Sequence, residues 1–147
     1  MKAQDIMAKN PQCVTPRAPV QEAARLMKAE DVGALPVISD DGSGRLVGMI
    51  TDRDIAIRVV AEGRTVDSCR VEDVMSKSGL AVAKPTDSVE DVMRVMGREQ
   101  VRRIPIVDES QKVVGIVSQA DVVLRAGSDT RSEHTIEKIS EPGGRHS

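Results

Sequence analysis

No phenylalanine, tyrosine or tryptophan occurs anywhere in the 147 residues. That absence excludes aromatic stacking of a bound base, the usual device of single-strand nucleic-acid platforms. It also obliges the core to be built from Val, Ile, Leu, Met and Ala, the large ones contributing about 1.5–3 kcal/mol each on full burial. Long apolar runs are missing too. None approaches the ~18 residues that span a bilayer, and the opening Met1-Lys2-Ala3-Gln4-Asp5 lacks the apolar stretch of a secretory signal. The cytoplasm is the expected location. Charge of one sign is equally scarce: 21 basic and 23 acidic residues leave a net charge of −2 with no basic stripe. Neither a nucleic-acid nor a membrane partner is expected.

Chemistry-bearing residues are few. Cys13 and Cys69 make no disulfide framework, and a zinc site needs more ligands at close spacing. Both histidines, His134 and His146, lie close to the C-terminal end, so no base stands near a nucleophile in the patterned part of the chain. Gly42-Ser43-Gly44 lacks the lysine of a phosphate loop. Catalysis is therefore not expected, and no catalytic or metal-ligating residue is assigned. A redox or metal sensor using Cys13 or Cys69 stands as an alternative function.

What the chain does contain is one pattern written twice. Gln4-Asp5-Ile6-Met7 returns as Glu72-Asp73-Val74-Met75. Residues 19–37 overlay 88–106 without a gap, and six of those 19 positions are identical. Leu46-Val47-Gly48-Met49-Ile50-Thr51 returns as Val113-Val114-Gly115-Ile116-Val117-Ser118. Self-similarity at a steady period is the signature of a repeat architecture.

Each copy predicts the same elements. A short extended piece, Cys13-Val14-Thr15 or Ala81-Val82-Ala83, precedes a proline. A helix follows, with Val20, Ala23, Ala24 and Met27 at 3.6-residue spacing, matched by Val89, Val92, Met93 and Met96. Asp87 is the expected N-cap of the second of these, with Glu90 three residues on. Two strands come next, 34–38 with 45–50 and 103–107 with 112–117, joined by polar turns. Pro36 and Pro105 cannot donate to a ladder and are expected at a strand start or an edge. Thr51 and Ser118 are good N-caps for a closing helix. Residues 63–71 read as a linker, and the tail from Gly127 as disordered. The expected division is 1–69 for the first repeat with its N-terminal segment and linker, 70–126 for the second, and 127–147 for the tail.

The order Asp-Ile-Met, Val-Thr, Gly-Ala-Leu-Pro-Val, Leu-Val-Gly-Met-Ile-Thr-Asp-Arg-Asp resembles a CBS domain, and two in tandem resemble a Bateman module. The resemblance covers residues 3–126, and the chain is similar to stand-alone bacterial CBS-pair proteins. It implies an α/β (α+β) fold of two βαββα repeats packed about a pseudo-twofold axis. It further implies clefts between the repeats that take AMP, ADP, ATP, NAD or S-adenosylmethionine as regulatory ligands. No cofactor is required. The family pattern Gly-hydrophobic-x-Thr/Ser-x-x-Asp is met by Gly48 to Asp54 and by Gly115 to Asp121.

By that resemblance Asp54 and Asp121 accept hydrogen bonds from ribose hydroxyls, a carboxylate having two acceptor oxygens for two adjacent donors. Thr51 and Ser118 sit at helix N-termini, where free N–H groups and the dipole favour phosphate. Backbone groups near Val14 and Val82 would read the adenine edge. Arg102 and Arg103 precede the second Pro-containing strand, where the first repeat has Gly33 and Ala34. The implied ligand set is thus Val14, Ala34, Thr51, Arg53, Asp54, Val82, Arg102, Arg103, Ser118 and Asp121, with the arginines favouring phosphate at the Asp54 cleft. A homodimer is implied as well, with the downstream effector unspecified. The alternative of another class is a dimeric scaffold whose clefts are vestigial.

Overall fold

The computed structural model describes residues 1–126; the expectation of a disordered tail falls outside the described residues. The chain runs α1 (Ala3–Ile6), β1 (Ala8–Lys9), α2 (Val20–Glu30), β2 (Ala34–Ile38), β3 (Leu46–Thr51), α3 (Asp52–Ile55), α4 (Val71–Val74), α5 (Val89–Glu99), β4 (Arg103–Val107), β5 (Val113–Ser118) and α6 (Gln119–Ala126). A π-helical stretch, Ala56–Val60, continues α3, and a 3₁₀ turn covers Val66–Ser68. The fold is α+β.

Among the described residues two compact units form, one from Gln12–Leu80 and the other from Met1–Pro11 together with residues 81–126. The spatial units therefore divide the chain differently from the sequence repeats, which were expected to part between 69 and 70. The N-terminal segment belongs with the second repeat because its amides are satisfied there. Ala3 N donates to Asp87 O at 2.8 Å, and Gln4 N to Pro85 O at 3.0 Å. In the other unit, Val71 N donates to Ala18 O and Glu72 N to Pro16 O, both at 2.9 Å. A four-residue helix is too short to stand alone; each is held by docking on the turn before a long helix.

Within each unit a hairpin carries the sheet. β2 pairs antiparallel with β3, and β4 with β5, each with a register shift near its end, at Val37/Ile38 and Ile106/Val107. Val14 adds a parallel bridge to Val37, and Ala83 one to Ile106. β1 extends the second sheet against β5, and Ser76 bridges Met49 at the same place in the first.

Pro36 lies in the middle of β2 rather than at its start. Its carbonyl accepts from Val14 N at 3.1 Å, and N and O of one strand residue face the same side. Its missing donor therefore faces the edge where the parallel pairing is a single bridge, and no ladder bond is lost.

The two cores are aliphatic and separate. One gathers Val20, Ala23, Met27, Leu35, Val37, Ile50, Val59 and Val74; the other Ile6, Val89, Val92, Met93, Met96, Ile104, Ile106 and Val117. Two local expectations need correction. Ala24 is exposed, whereas its counterpart Met93 is buried, so the apolar stripe of α2 is narrower than that of α5. The N-cap of α5 is Ser88, whose hydroxyl accepts from Asp91 N at 3.1 Å, while Asp87 caps the preceding turn at Lys84 N. The expected linker 63–71 is exposed from Gly63 to Ser68, and its end is anchored by Cys69 and Val71, which are buried in the core of their unit.

Candidate functional site

The duplicated motif becomes two copies of one turn, each at the end of the second hairpin strand. Thr51 Oγ1 accepts from Asp54 N at 3.0 Å, and Asp54 Oδ2 accepts from Thr51 N at 3.0 Å. Ser118 and Asp121 repeat this, with Ser118 Oγ to Asp121 N at 3.1 Å and Asp121 Oδ2 to Ser118 N at 2.9 Å. These are reciprocal capping boxes. They lock each aspartate rotamer and leave its other oxygen, Oδ1, with no hydrogen-bond partner among the described residues. Both aspartates are half-buried. Each turn thus presents a carboxylate at a fixed position, with Oδ1 unpartnered and Oδ2 already holding one backbone N–H.

Glycine at the start of the motif has a packing cause. A Cβ on Gly48 would lie 2.7 Å from Met75 Sδ and 2.8 Å from Ser76 O. A Cβ on Gly115 would collide with Met7 Sδ and lie 2.8 Å from Met7 Cγ. The segment after each short helix crosses the strand here, with Met49 N donating to Ser76 O at 3.0 Å and Ser76 N to Met49 O at 2.9 Å. Arg58, one turn beyond Asp54, donates from Nη1 to Val74 O at 2.8 Å and Met75 O at 3.2 Å. Arg125 reaches Ile6 O at 3.4 Å in the same role. Sequence reasoning missed both arginines; their recurrence 67 residues apart, after each motif, was the available signal.

The remaining site residues fall as follows. Val14 is buried, its N–H spent on Pro36 O and its carbonyl accepting from Ile38 N at 2.9 Å. Ala83, not Val82, is its counterpart in the second unit, donating to Pro105 O at 3.2 Å and accepting from Val107 N at 2.9 Å. Val82 is half-buried. Ala34 is buried directly across from Thr51, and Arg103 directly across from Ser118. Arg53 and Arg102 are exposed.

The expectation of free N–H groups at the helix start fails in the first unit. Asp52 N donates to Gly33 O at 2.9 Å, and Arg53 N to the carboxylate of Asp52 at 2.8 Å, so every amide from 51 to 54 has an acceptor. Cys13 is half-buried, and desolvation pushes its thiol up to about 11. At neutral pH it is protonated, which weakens the thiolate chemistry a redox sensor needs. No group of three or more His, Cys, Asp and Glu converges on a metal position among the described residues.

The family signature of the CBS domain matches residues 3–61 and again 71–127. The chain is a CBS-domain protein. Among curated CBS-domain relatives, YhcV of Bacillus subtilis is 40% identical over 136 residues, which cover 92% of this chain and 93% of YhcV. Hypoxic response protein 1 of Mycobacterium tuberculosis is 36% identical over 120 residues, 82% of this chain and 81% of that protein. Its solved structure, with two coordinated zinc ions, superposes with a TM-score of 0.76 over 85% of this chain and 98% of that one. CBSX2 of Arabidopsis thaliana in complex with AMP gives a TM-score of 0.72 at 28% identity, covering 85% and 95%. The CBS domain pair of MJ0100, in complex with 5′-methylthioadenosine and S-adenosyl-L-methionine, gives 0.71 at 29%, covering 83% and 92%. No helix among the described residues is long and apolar enough to cross a membrane.

Proposed function

We propose that this protein is a regulatory module, not an enzyme, that senses an adenosyl ligand through Asp54 and Asp121. The observation that carries this reading is the pair of capping boxes, each holding an aspartate with one unpartnered oxygen. Such an oxygen accepts a ribose hydroxyl in a charge-assisted bond of about 1.5–3 kcal/mol. The AMP-bound and methylthioadenosine-bound relatives support the ligand class. The ligand is AMP, ADP or ATP, with NAD and S-adenosylmethionine as alternatives. Its binding shifts the population of two arrangements by no more than its differential affinity for them.

The module acts in the cytoplasm as a homodimer; Ile57, Val60 and Leu124 expose 50%, 69% and 81% of their surface, the kind of apolar surface that association covers. That same exposure favours the second reading, a scaffold whose ligand sites are vestigial.

Calorimetric melting against AMP, ADP, ATP, NAD and S-adenosylmethionine separates the two. Ligand at about 100 times Kd adds roughly 2.7 kcal/mol, a rise of several degrees in Tm for a chain of this size. Asp54→Ala and Asp121→Ala should each remove part of that rise. No shift with any of the five ligands leaves the scaffold reading in its place.

A further inference from the structure

The two turns differ in ways that the duplication does not explain. In the first, Asp52 follows the capping threonine, and its carboxylate accepts the Arg53 N–H at 2.8 Å. In the second, Gln119 holds that position, and the Ala120 N–H has no acceptor among the described residues. The strand residues opposite the caps differ in the same sense, Ala34 beside Thr51 and Arg103 beside Ser118. Residues opposite each other in an antiparallel pair share a face and interact. The first turn carries two carboxylates, Asp52 and Asp54, against the exposed Arg53, with all its backbone donors closed. The second carries Asp121 alone, with Arg103 across from its cap and a backbone donor open.

We propose that Asp52 is a specificity-determining residue, making the Thr51–Asp54 turn disfavour adenosyl ligands that carry a 5′-phosphate. This rests on the ribose role of Asp54 and narrows that reading: AMP, ADP and ATP fall to the Asp121 turn, and the Asp54 turn takes S-adenosylmethionine or another adenosyl ligand without a 5′-phosphate. A diol held on Asp54 Oδ1 puts the 5′ substituent one sugar ring away, well inside the ~8–10 Å over which salt screens charge. A phosphate there meets the Asp52 carboxylate and finds no backbone N–H, because that carboxylate already occupies the one Arg53 would offer. An uncharged group such as a hydroxyl or thioether, or a cationic sulfonium, meets no such repulsion. This reverses the preference that the resemblance implied for the Asp54 side.

The test reads one turn at a time. In the Asp121→Ala background, adenosine and AMP are titrated by calorimetry into the full chain, then again after Asp52→Asn and Asp52→Ala. Asparagine removes the charge and keeps the acceptor; alanine removes both. The AMP-to-adenosine Kd ratio should fall by about tenfold with alanine, the worth of one charge-assisted bond gained, and by less with asparagine. In the Asp54→Ala background, Gln119→Asp should raise the same ratio. A ratio unchanged within twofold in the Asp52 variants, with adenosine still bound, overturns the role of Asp52 alone. Failure of either ligand to bind in the Asp121→Ala background overturns the ribose role of Asp54, and this proposal with it. Circular dichroism of each variant establishes that the fold is retained.

Discussion

Gly48 and Gly115 occupy equivalent positions, yet they should respond differently to the same perturbation. Alanine at either inserts a methyl into closed space, a change that costs about 1–3 kcal/mol in packed interiors. Loss of glycine's unfolded-state freedom returns about 0.4–1 kcal/mol. The net expectation is about 1–2 kcal/mol of destabilisation, a fall of about 3–8 °C in Tm. The neighbours then decide what can relieve the strain. At Gly115 the tight contacts are the Met7 thioether and Cγ, with the nearest backbone atom, Ala8 O, at 3.1 Å. At Gly48 a backbone oxygen, Ser76 O, stands at 2.8 Å and is held by Met49 N. A flexible side chain can be removed, whereas a paired carbonyl cannot. Double-mutant cycles with Met7→Ala and Met75→Ala should therefore give about 1 kcal/mol of favourable coupling at 7/115 and less than half that at 48/75. Thermal unfolding must be followed by circular dichroism or calorimetry, since the chain has no aromatic fluorophore. Equal couplings, or Gly48→Ala within 0.5 kcal/mol of the parent, would refute the reasoning.

Three further outcomes are expected. Arg58→Met removes two bonds to the carbonyls that end α4 and should cost about 1–2 kcal/mol, while Arg125→Met, losing one bond of 3.4 Å, should cost less than half as much in chemical denaturation. Cys13, with its thiol raised from 9.0 to about 11, should react with iodoacetamide at pH 8 about a hundredfold more slowly than a free thiol; peptide mass mapping reads this directly. A raised thiol pKa also means stability that is complete below pH 9 and lost as pH climbs toward 11, by about 1–2 kcal/mol after allowance for partial exposure. Cys13→Ser should flatten that slope, and an equally steep slope in the variant would place its origin elsewhere.

Much of this protein is decided locally and was legible in order of residues alone. The duplication, both hairpins and the caps at Thr51 and Ser118 depend on spacings of a few residues: alternation, turn chemistry, and a hydroxyl three positions before a carboxylate. The helix start at α5 shows the limit of that logic, for Asp87 and Ser88 are both good caps, and only the docking of Ala3 on Asp87 O decides between them. Tertiary structure alone assigned residues 1–11 to the unit of the second repeat, because short helices and two-residue strands have no stability except what distant partners supply. It likewise explained the two motif glycines, and left Ala24 in solvent while burying Met93. Each of these turns on which segment crosses which. Contact between residues tens of positions apart leaves no period in the chain for a reader to find.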